Sequence, residues 1–192
     1  MENLFIKILF LSYKGGVGKS SIAQNMALDI EAAYVTNDLV TTSTQAIQIE
    51  PNKHRIPKAL LSLECVVFDF GAMSTKLDPK AVQATEIADV IVIPTLTDMR
   101  SLEATIKTVD LVTPKNKPIA IIINNFTKQK DFDEAELYLT QKLGDIPIFA
   151  IKATTLFKRV AKDGPDFYRN IHNELGEWQL NKSRLAHEQV YN

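Results

Sequence analysis

The sequence of 192 residues has little of the material on which several classes of protein depend. Its single cysteine, Cys65, excludes an internal disulfide and any metal site built from paired cysteines, and it agrees with a reducing compartment. The longest apolar stretch near the start, residues 4–11, is interrupted by Lys7, whereas a membrane span needs about 20 residues. The net charge is −1, so the chain lacks a global positive field that would gather nucleic acid. We therefore expect a cytoplasmic protein in which any DNA binding comes from a local patch or a dimer face.

Short β-rich runs alternate with longer helical runs along most of the chain. The predicted strands are Leu4–Ser12, Ala33–Thr36, Cys65–Phe70, Val90–Pro94, Ile119–Asn124 and Ile146–Ile151. Several of them are nearly continuous in Val, Ile and Phe, as strands covered on both faces are. The predicted helices are Lys19–Glu31, Pro79–Ile87, Arg100–Val112 and Phe132–Leu143. Between the second and third strands, residues 38–57 read as a long polar loop.

This alternation predicts an α/β fold with a parallel sheet and right-handed crossovers. We expect one domain over residues 1–192, with a single doubly wound, mostly parallel sheet flanked by helices. After the last predicted strand the chain becomes polar and helical in character, so we expect residues 165–192 to form a C-terminal helical segment packed on that domain.

Three of the seven glycines cluster directly after the first predicted strand and before the first predicted helix. The segment reads Tyr13-Lys14-Gly15-Gly16-Val17-Gly18-Lys19-Ser20-Ser21. Glycines let backbone N–H groups curl around an anion at the positive end of a helix. Lys19 would then reach the β- and γ-phosphates of a nucleotide, and the Ser20 hydroxyl would bind Mg²⁺. The pattern in this setting predicts a phosphate-binding loop over residues 14–21, with a glycine-rich turn without a ligand as the alternative.

The loop departs from the ordinary phosphate-loop pattern, because Tyr13 stands where a glycine is usual and an additional lysine, Lys14, follows it. This is the deviant Walker A box, and here the sequence resembles the ParA/MinD family of partitioning and positioning ATPases, which are P-loop NTPases. The resemblance implies ATP and Mg²⁺ as cofactors. It also implies that Lys14 is catalytic together with Lys19, crossing a dimer interface to the phosphates bound by a second copy. A solvated surface lysine is the alternative for Lys14.

Two further parts of the site follow from the resemblance. The run Cys65–Phe70 ends in Asp69, which would hold a magnesium-bound water, and Gly71 would let a backbone N–H approach the γ-phosphate. A turn-capping aspartate is the alternative for Asp69. After the second strand the family has an Asp-x-Asp pattern, whereas this sequence has Thr36-Asn37-Asp38. Asp38 aligns with the second acid, which orients the attacking water, unless it is a loop or cap residue. Thr36 replaces the first acid, which leaves turnover and metal contacts in doubt.

The fifth predicted strand ends in a pair of asparagines. In the family such a strand carries an asparagine that contacts adenine, so Asn124 and Asn125 are further nucleotide-binding candidates. An amide offers a donor and an acceptor together, which suits the edge of adenine. An ordinary turn residue is the alternative for Asn125.

The end of the chain bears on which branch of the family it resembles. Residues 175–192 carry apolar side chains on one helical face, but that face is diluted by polar residues and has few cations, so membrane binding of the MinD type is not expected. Short members of the DNA-binding branch match this length. A cluster of cations after the last strand would contact DNA phosphates, with a solvated helix face as the alternative: Lys152, Lys158, Arg159, Lys162 and Arg169.

The resemblance as a whole implies a Mg-ATP-dependent ATPase that forms a homodimer on binding ATP. The ATP form would bind DNA non-specifically on the nucleoid and drive plasmid or chromosome partition. A centromere-binding adaptor protein would stimulate hydrolysis. A positioning ATPase that acts as a nucleotide switch at a membrane or cell pole is the alternative, and an enzyme acting on a small molecule is a more distant one.

Overall fold

The computed structural model describes residues 6–38, 46–50, 53–71, 78–163 and 166. Seven strands form one sheet: β1 (Ile6–Phe10), β2 (Ala33–Thr36), β3 (Ile47–Gln48), β4 (Cys65–Asp69), β5 (Val90–Thr95), β6 (Ile119–Phe126) and β7 (Ile148–Lys152). The helices in the described part of the chain are α1 (Lys19–Asp29), α2 (Lys58–Leu61), α3 (Pro79–Ile87), α4 (Met99–Val112), α5 (Gln129–Leu143) and α6 (Leu156–Asp163). A 3₁₀ turn, Thr113–Lys115, follows α4.

All strand pairs are parallel, and the strand order is β3-β2-β4-β1-β5-β6-β7. The central strand β1 pairs with β4 on one side and with β5 on the other. The strand order therefore runs outward in both directions from β1, and the topological switch point lies at the carboxyl end of β1. In open α/β sheets ligands bind in the crevice at such a point.

Both faces of the sheet are buried, which explains the nearly continuous apolar strands. In β1, Ile8 and Phe10 pack on the face covered by α1, where Ile22 joins the same cluster. Leu9 lies on the opposite face, in a cluster that includes Leu102 of α4 and residues of α3 and α5. The predicted fold class, a doubly wound parallel sheet flanked by helices, is confirmed.

Several predicted ends of helices were wrong by a few residues, for local reasons. Helix α1 ends at Asp29 and not at the predicted Glu31, because Glu31 has a positive φ of 53° that a helix does not allow. Helix α4 begins at Met99, since the Asp98 side chain accepts from the backbone N–H of Ser101 and caps the first turn. Helix α5 begins at Gln129, three residues before the predicted start.

The strand predictions differ at their ends and in one omission. Strand β1 spans Ile6–Phe10, with residues 4 and 5 outside the described part, and β7 is shifted toward the carboxyl end of the predicted range. The predicted loop 38–57 contains β3, which pairs with the end of β2. A strand of two residues is too short to show any alternation in the sequence.

The end of the chain is described only in part. Apart from Asp166, residues 164–192 lie outside the described residues, so the C-terminal helical segment stays a prediction. None of the helices within the described ranges is both long enough and apolar enough to cross a membrane.

Candidate nucleotide-binding site

The loop between β1 and α1 has a backbone that depends on glycine. Gly16 and Gly18 have φ values of 79° and 86°, in the left-handed region that favours glycine. Gly18 is the N-cap of α1, and its carbonyl accepts from the N–H of Ile22 at 3.0 Å, which starts the helix. A Cβ placed at Gly15 or Gly16 would meet no atom within 4 Å. The loop therefore leaves open space at the N-terminus of a helix, where an anion is stabilised.

This open space is a cavity of about 370 Å³ at the carboxyl edge of the sheet. The residues that line it are Lys14, Gly15, Gly16, Val17, Gly18, Lys19, Ser20, Ser21, Asp38 and Gly71. All ten are residues that the sequence singled out, and they come from three separate segments of the chain. The structure therefore brings the predicted phosphate loop, the aligned acid and the glycine after β4 to one place.

Under the cavity lies a buried ion pair. Lys19 Nζ donates to Asp69 Oδ1, and Asp69 is fully buried at the end of β4. The other carboxylate oxygen, Oδ2, accepts from the Tyr34 hydroxyl at 2.6 Å. Burial, and then the nearby charge of Asp69, raise the pKa of Tyr34 above its usual value, so the hydroxyl keeps its proton and donates. Both described hydrogen bonds of the Asp69 carboxylate, from Lys19 and from Tyr34, are therefore made beside the phosphate loop.

Asp38 lies beside the first turn of α1. Ser20 Oγ donates to Asp38 Oδ2 at 3.2 Å, and the Asp38 N–H donates to Thr36 Oγ1 at 3.1 Å. A Cβ on Gly71 would lie 3.2 Å from Asp38 Oδ1, so the absence of a side chain there permits the close approach. The Gly71 N–H donates to Asn37 Oδ1 at 2.7 Å. Gly71 therefore lies at the cavity with its N–H bonded to the neighbouring loop, and the approach of this N–H to a γ-phosphate stays a prediction.

These oxygens suit a magnesium ion. Mg²⁺ binds through one or two carboxylates and hydroxyls, completed by water and phosphate oxygens. Ser20 and Asp38 line the cavity, and the buried Asp69 carboxylate pairs with Lys19, which also lines it. The donor set fits the cofactor that the sequence implies.

Lys14 lies at the rim of the cavity and makes contacts away from it. Its Nζ donates to both carboxylate oxygens of Asp98 at 3.1 Å and to Ser101 Oγ at 2.6 Å. The Lys14 side chain is 32% exposed. The hydrogen bond from Ser101, and then the contact with Lys14, lower the pKa of Asp98. Lys14 is thus paired at the surface, at the N-terminus of α4.

The two asparagines at the end of β6 occupy different surroundings. Asn124 is buried, and its Nδ2 donates to the carbonyl of Val17 in the phosphate loop at 2.9 Å. A Cβ on Gly18 would lie only 2.2 Å from that nitrogen. Asn125 is exposed, with a φ of 59°. The structure gives Asn124 a supporting contact with the loop, and neither residue lines the cavity. The adenine contact stays a prediction.

The predicted DNA-binding cations follow β7. Lys152 is exposed at the end of that strand, and Arg159 on α6 forms an ion pair with Asp163 at 3.9 Å. Lys158 and Lys162 also lie on α6, but their side chains fall outside the described part, as does Arg169. The DNA contact stays a prediction.

The sequence missed four residues that hold this site together: Tyr34, Asn37, Asp98 and Ser101. Asp98 does carry a local signal, since an aspartate before a helical run is typical of an N-cap. Its contact with Lys14 carries none, because 84 residues separate the two. Tyr34 reads as an ordinary strand residue.

Together the central strand, the glycine loop, the lysine and its buried aspartate define a class: the chain has a P-loop fold, with open space for an anion at the N-terminus of α1. No family model matches the sequence, and no curated protein matches it. Solved structures do match its fold.

The apo form of McdA from Cyanothece is 14% identical with a TM-score of 0.66, covering 96% of this chain and 98% of that one. The septum site-determining protein MinD from Pyrococcus horikoshii, complexed with Mg-ADP, is 15% identical with a TM-score of 0.62, covering 93% of each chain. A putative plasmid partition protein from Borrelia burgdorferi, bound to AMPPNP, is 16% identical with a TM-score of 0.61, covering 96% of this chain and 97% of that one. The chain therefore has the fold of the ParA/MinD ATPases, as the resemblance predicted.

Proposed function

We propose that the protein is a Mg-ATP-dependent ATPase that pairs with a second copy when ATP is bound. Its ATP form binds DNA non-specifically and moves a plasmid or chromosome during partition, and a centromere-binding adaptor protein stimulates hydrolysis. The observation that carries this proposal is the cavity at the carboxyl end of β1, lined by the phosphate loop, Asp38 and Gly71.

The loop supplies the phosphate contacts. Its N–H groups lie at the N-terminus of α1, where the helix dipole favours negative charge. Without a ligand, Lys19 forms a buried ion pair with Asp69. This pair holds the Lys19 ammonium within the site before a ligand arrives. When phosphates enter the cavity, Lys19 turns from Asp69 toward them, and one carboxylate oxygen of Asp69 is released.

The oxygen groups around the cavity hold the metal and the water. Bound Mg²⁺ would draw charge from the β- and γ-phosphate oxygens, and Ser20 and Asp69 are the residues that would hold it, Asp69 through a water. The Asp38 carboxylate accepts a hydrogen bond from Ser20 Oγ. A water placed beside Asp38 would donate a second hydrogen bond to the same carboxylate. Asp38 thereby orients the attacking water in line with the phosphate.

Lys14 supplies the contact between copies. It lies at the rim, where its ammonium is held by Asp98 and Ser101 at the surface. On pairing, Lys14 leaves Asp98 for the phosphates bound by the other copy. A positive charge supplied across an interface accelerates phosphoryl transfer by about 10³–10⁵ in other P-loop enzymes.

The structural likenesses support the ligand and the cellular role. The MinD structure holds Mg-ADP and the plasmid partition protein holds AMPPNP, so the fold accommodates an adenine nucleotide in both. Lys152 is exposed at the end of β7, and Lys158, Arg159 and Lys162 follow it along the chain on α6, so phosphate contacts with DNA would come from this segment.

Size-exclusion chromatography with a DNA duplex tests this proposal. We expect DNA to co-elute with the protein in Mg-ATP and not in Mg-ADP. The affinity should fall with salt at a log–log slope near −0.9 per phosphate contact. Equal co-elution with both nucleotides, or a binding constant insensitive to salt, would contradict the DNA-binding part.

A positioning ATPase is the second candidate, favoured by the likeness to the septum site-determining protein MinD. Co-sedimentation with liposomes of anionic lipid, with and without residues 175–192, distinguishes the two. ATP-dependent sedimentation that requires these residues would favour positioning at a membrane over partition on DNA.

A further inference from the structure

Tyr34 connects two features of the site that the proposed function leaves separate. It is a buried residue of β2, a strand that pairs with β4 so that Tyr34 lies opposite Val67 and Thr36 lies opposite Asp69. Side chains two apart on a strand share a face, and opposite residues of paired strands share it too. Tyr34, Thr36 and Asp69 therefore all lie on the α1 face, below the phosphate loop.

Both oxygens of the Asp69 carboxylate are bound in this arrangement. Oδ1 accepts from Lys19, and Oδ2 accepts from the Tyr34 hydroxyl at 2.6 Å. When Lys19 turns to the phosphates, Oδ1 is released, whereas the hydrogen bond to Tyr34 does not depend on Lys19. Tyr34 is then the described group that keeps the carboxylate in its place.

Thr36 completes the arrangement at the position where the resemblance expects an acid. It is fully buried, and its hydroxyl accepts from the Asp38 N–H at 3.1 Å. A second carboxylate at this place would stand close to Asp69 and repel it. A phenol and a threonine instead place a hydrogen-bond donor on Asp69 without adding charge.

We propose that Tyr34 is a positioning residue of the magnesium site. Its hydroxyl holds the Asp69 carboxylate in place, so that the oxygen released by Lys19 can accept a hydrogen bond from a magnesium-bound water. This inference rests on the proposed nucleotide function and deepens it. Phenylalanine would fill nearly the same volume as Tyr34 and lacks only the hydroxyl. Tyr34→Phe therefore removes the hydrogen bond to Asp69 and keeps the packing of the ring.

Binding of AMPPNP to the full chain, measured by calorimetry in EDTA and across a Mg²⁺ titration, tests the inference with Tyr34→Phe. Groups that orient a metal ligand typically contribute 10–100-fold to metal affinity. In Tyr34→Phe we therefore expect the Mg²⁺ concentration that gives half of the full increase in AMPPNP affinity to rise about tenfold or more. AMPPNP affinity in EDTA should stay unchanged.

Tyr138→Phe is the matched control. Its hydroxyl also donates to a carboxylate, that of Glu103, but on the surface between α5 and α4. We expect its Mg²⁺ dependence to equal that of the wild type. An unchanged Mg²⁺ dependence in Tyr34→Phe would overturn the inference alone, whereas a wild-type chain that takes up no AMPPNP would overturn the nucleotide function beneath it.

A second measurement does not rely on Tyr34→Phe folding. With 3-fluorotyrosine placed at position 34, the fluorine resonance of the AMPPNP-bound chain should shift when Mg²⁺ is added, because the partner of the Asp69 carboxylate changes. The same probe at position 138 should not shift. A position-34 resonance that is identical with and without Mg²⁺ would also overturn the inference.

Discussion

The two lysines of the phosphate loop, five positions apart, have opposite surroundings. Lys19 is buried and pairs with an aspartate that is fully buried. Lys14 is 32% exposed and pairs with Asp98, which is itself 48% exposed. A buried pair loses several kcal/mol when one partner is removed, whereas a surface pair is worth about 0.2–1 kcal/mol. Lys19 is therefore built into the site, and Lys14 is free to exchange its partner at little cost.

Lys19→Ala is expected to have the largest effect. It leaves the Asp69 charge buried and unpaired, which costs about 3–5 kcal/mol of unfolding free energy, and it removes the ammonium that meets the phosphates. Chemical denaturation and ATP calorimetry report the two losses. In Lys19→Ala with Asp69→Asn the buried charge is gone as well, so stability should recover while ATP binding stays absent. Recovery of ATP binding in that double variant would show that Lys19 does not bind phosphate.

The glycines beside the two lysines sharpen the comparison. Gly18, before Lys19, has a positive φ and its Cβ would lie 2.2 Å from Asn124 Nδ2, whereas a Cβ on Gly15, after Lys14, meets nothing within 4 Å. Gly18→Ala should lower the unfolding free energy by at least about 1–2 kcal/mol, the cost of a left-handed backbone. Gly15→Ala should change it by less than about 0.5 kcal/mol. Equal losses in thermal or chemical denaturation would mean that the loop is not anchored by Asn124.

Lys14→Ala separates binding from pairing. Because Lys14 lies at the rim and not under the cavity, we expect ATP affinity close to that of the wild type, with loss of the dimer and of turnover by about 10³-fold or more. Equilibrium dialysis measures the first, and light scattering and phosphate release measure the others. Turnover equal to that of the wild type would remove the proposed role between copies.

Asp98→Asn should have a small effect on stability, with a particular pH dependence. The pair with Lys14 is exposed, so its loss should cost no more than about 1 kcal/mol near neutral pH. Since the folded-state pKa of Asp98 is lowered, its contribution is present above the unfolded pKa near 3.9 and disappears as pH falls through the lower folded value. Wild type and variant should therefore differ in denaturation midpoint near pH 7 and converge in strong acid. A difference that grows toward low pH would contradict the assignment.

The sequence was sufficient for the sheet and for most of the cavity. The strands are apolar on both faces and the loop has a pattern tied to one backbone shape, so both are encoded locally. The partners of the lysines were not predictable in the same way. Asp98 reaches Lys14 across 84 residues, and Tyr34 reaches Asp69 because β2 and β4 pair in one register. Such contacts depend on tertiary packing, which one sequence does not reveal.

Sedimentation velocity with a fluorescent ATP analogue and Mg²⁺ tests the central claim most directly, because it reports the mass of the species that carries the nucleotide. We predict that the analogue sediments with a dimer of the wild-type chain and with a monomer of Lys14→Ala. An analogue that stays with neither chain, or that sediments with a dimer of both, would contradict the division of roles between Lys19 and Lys14.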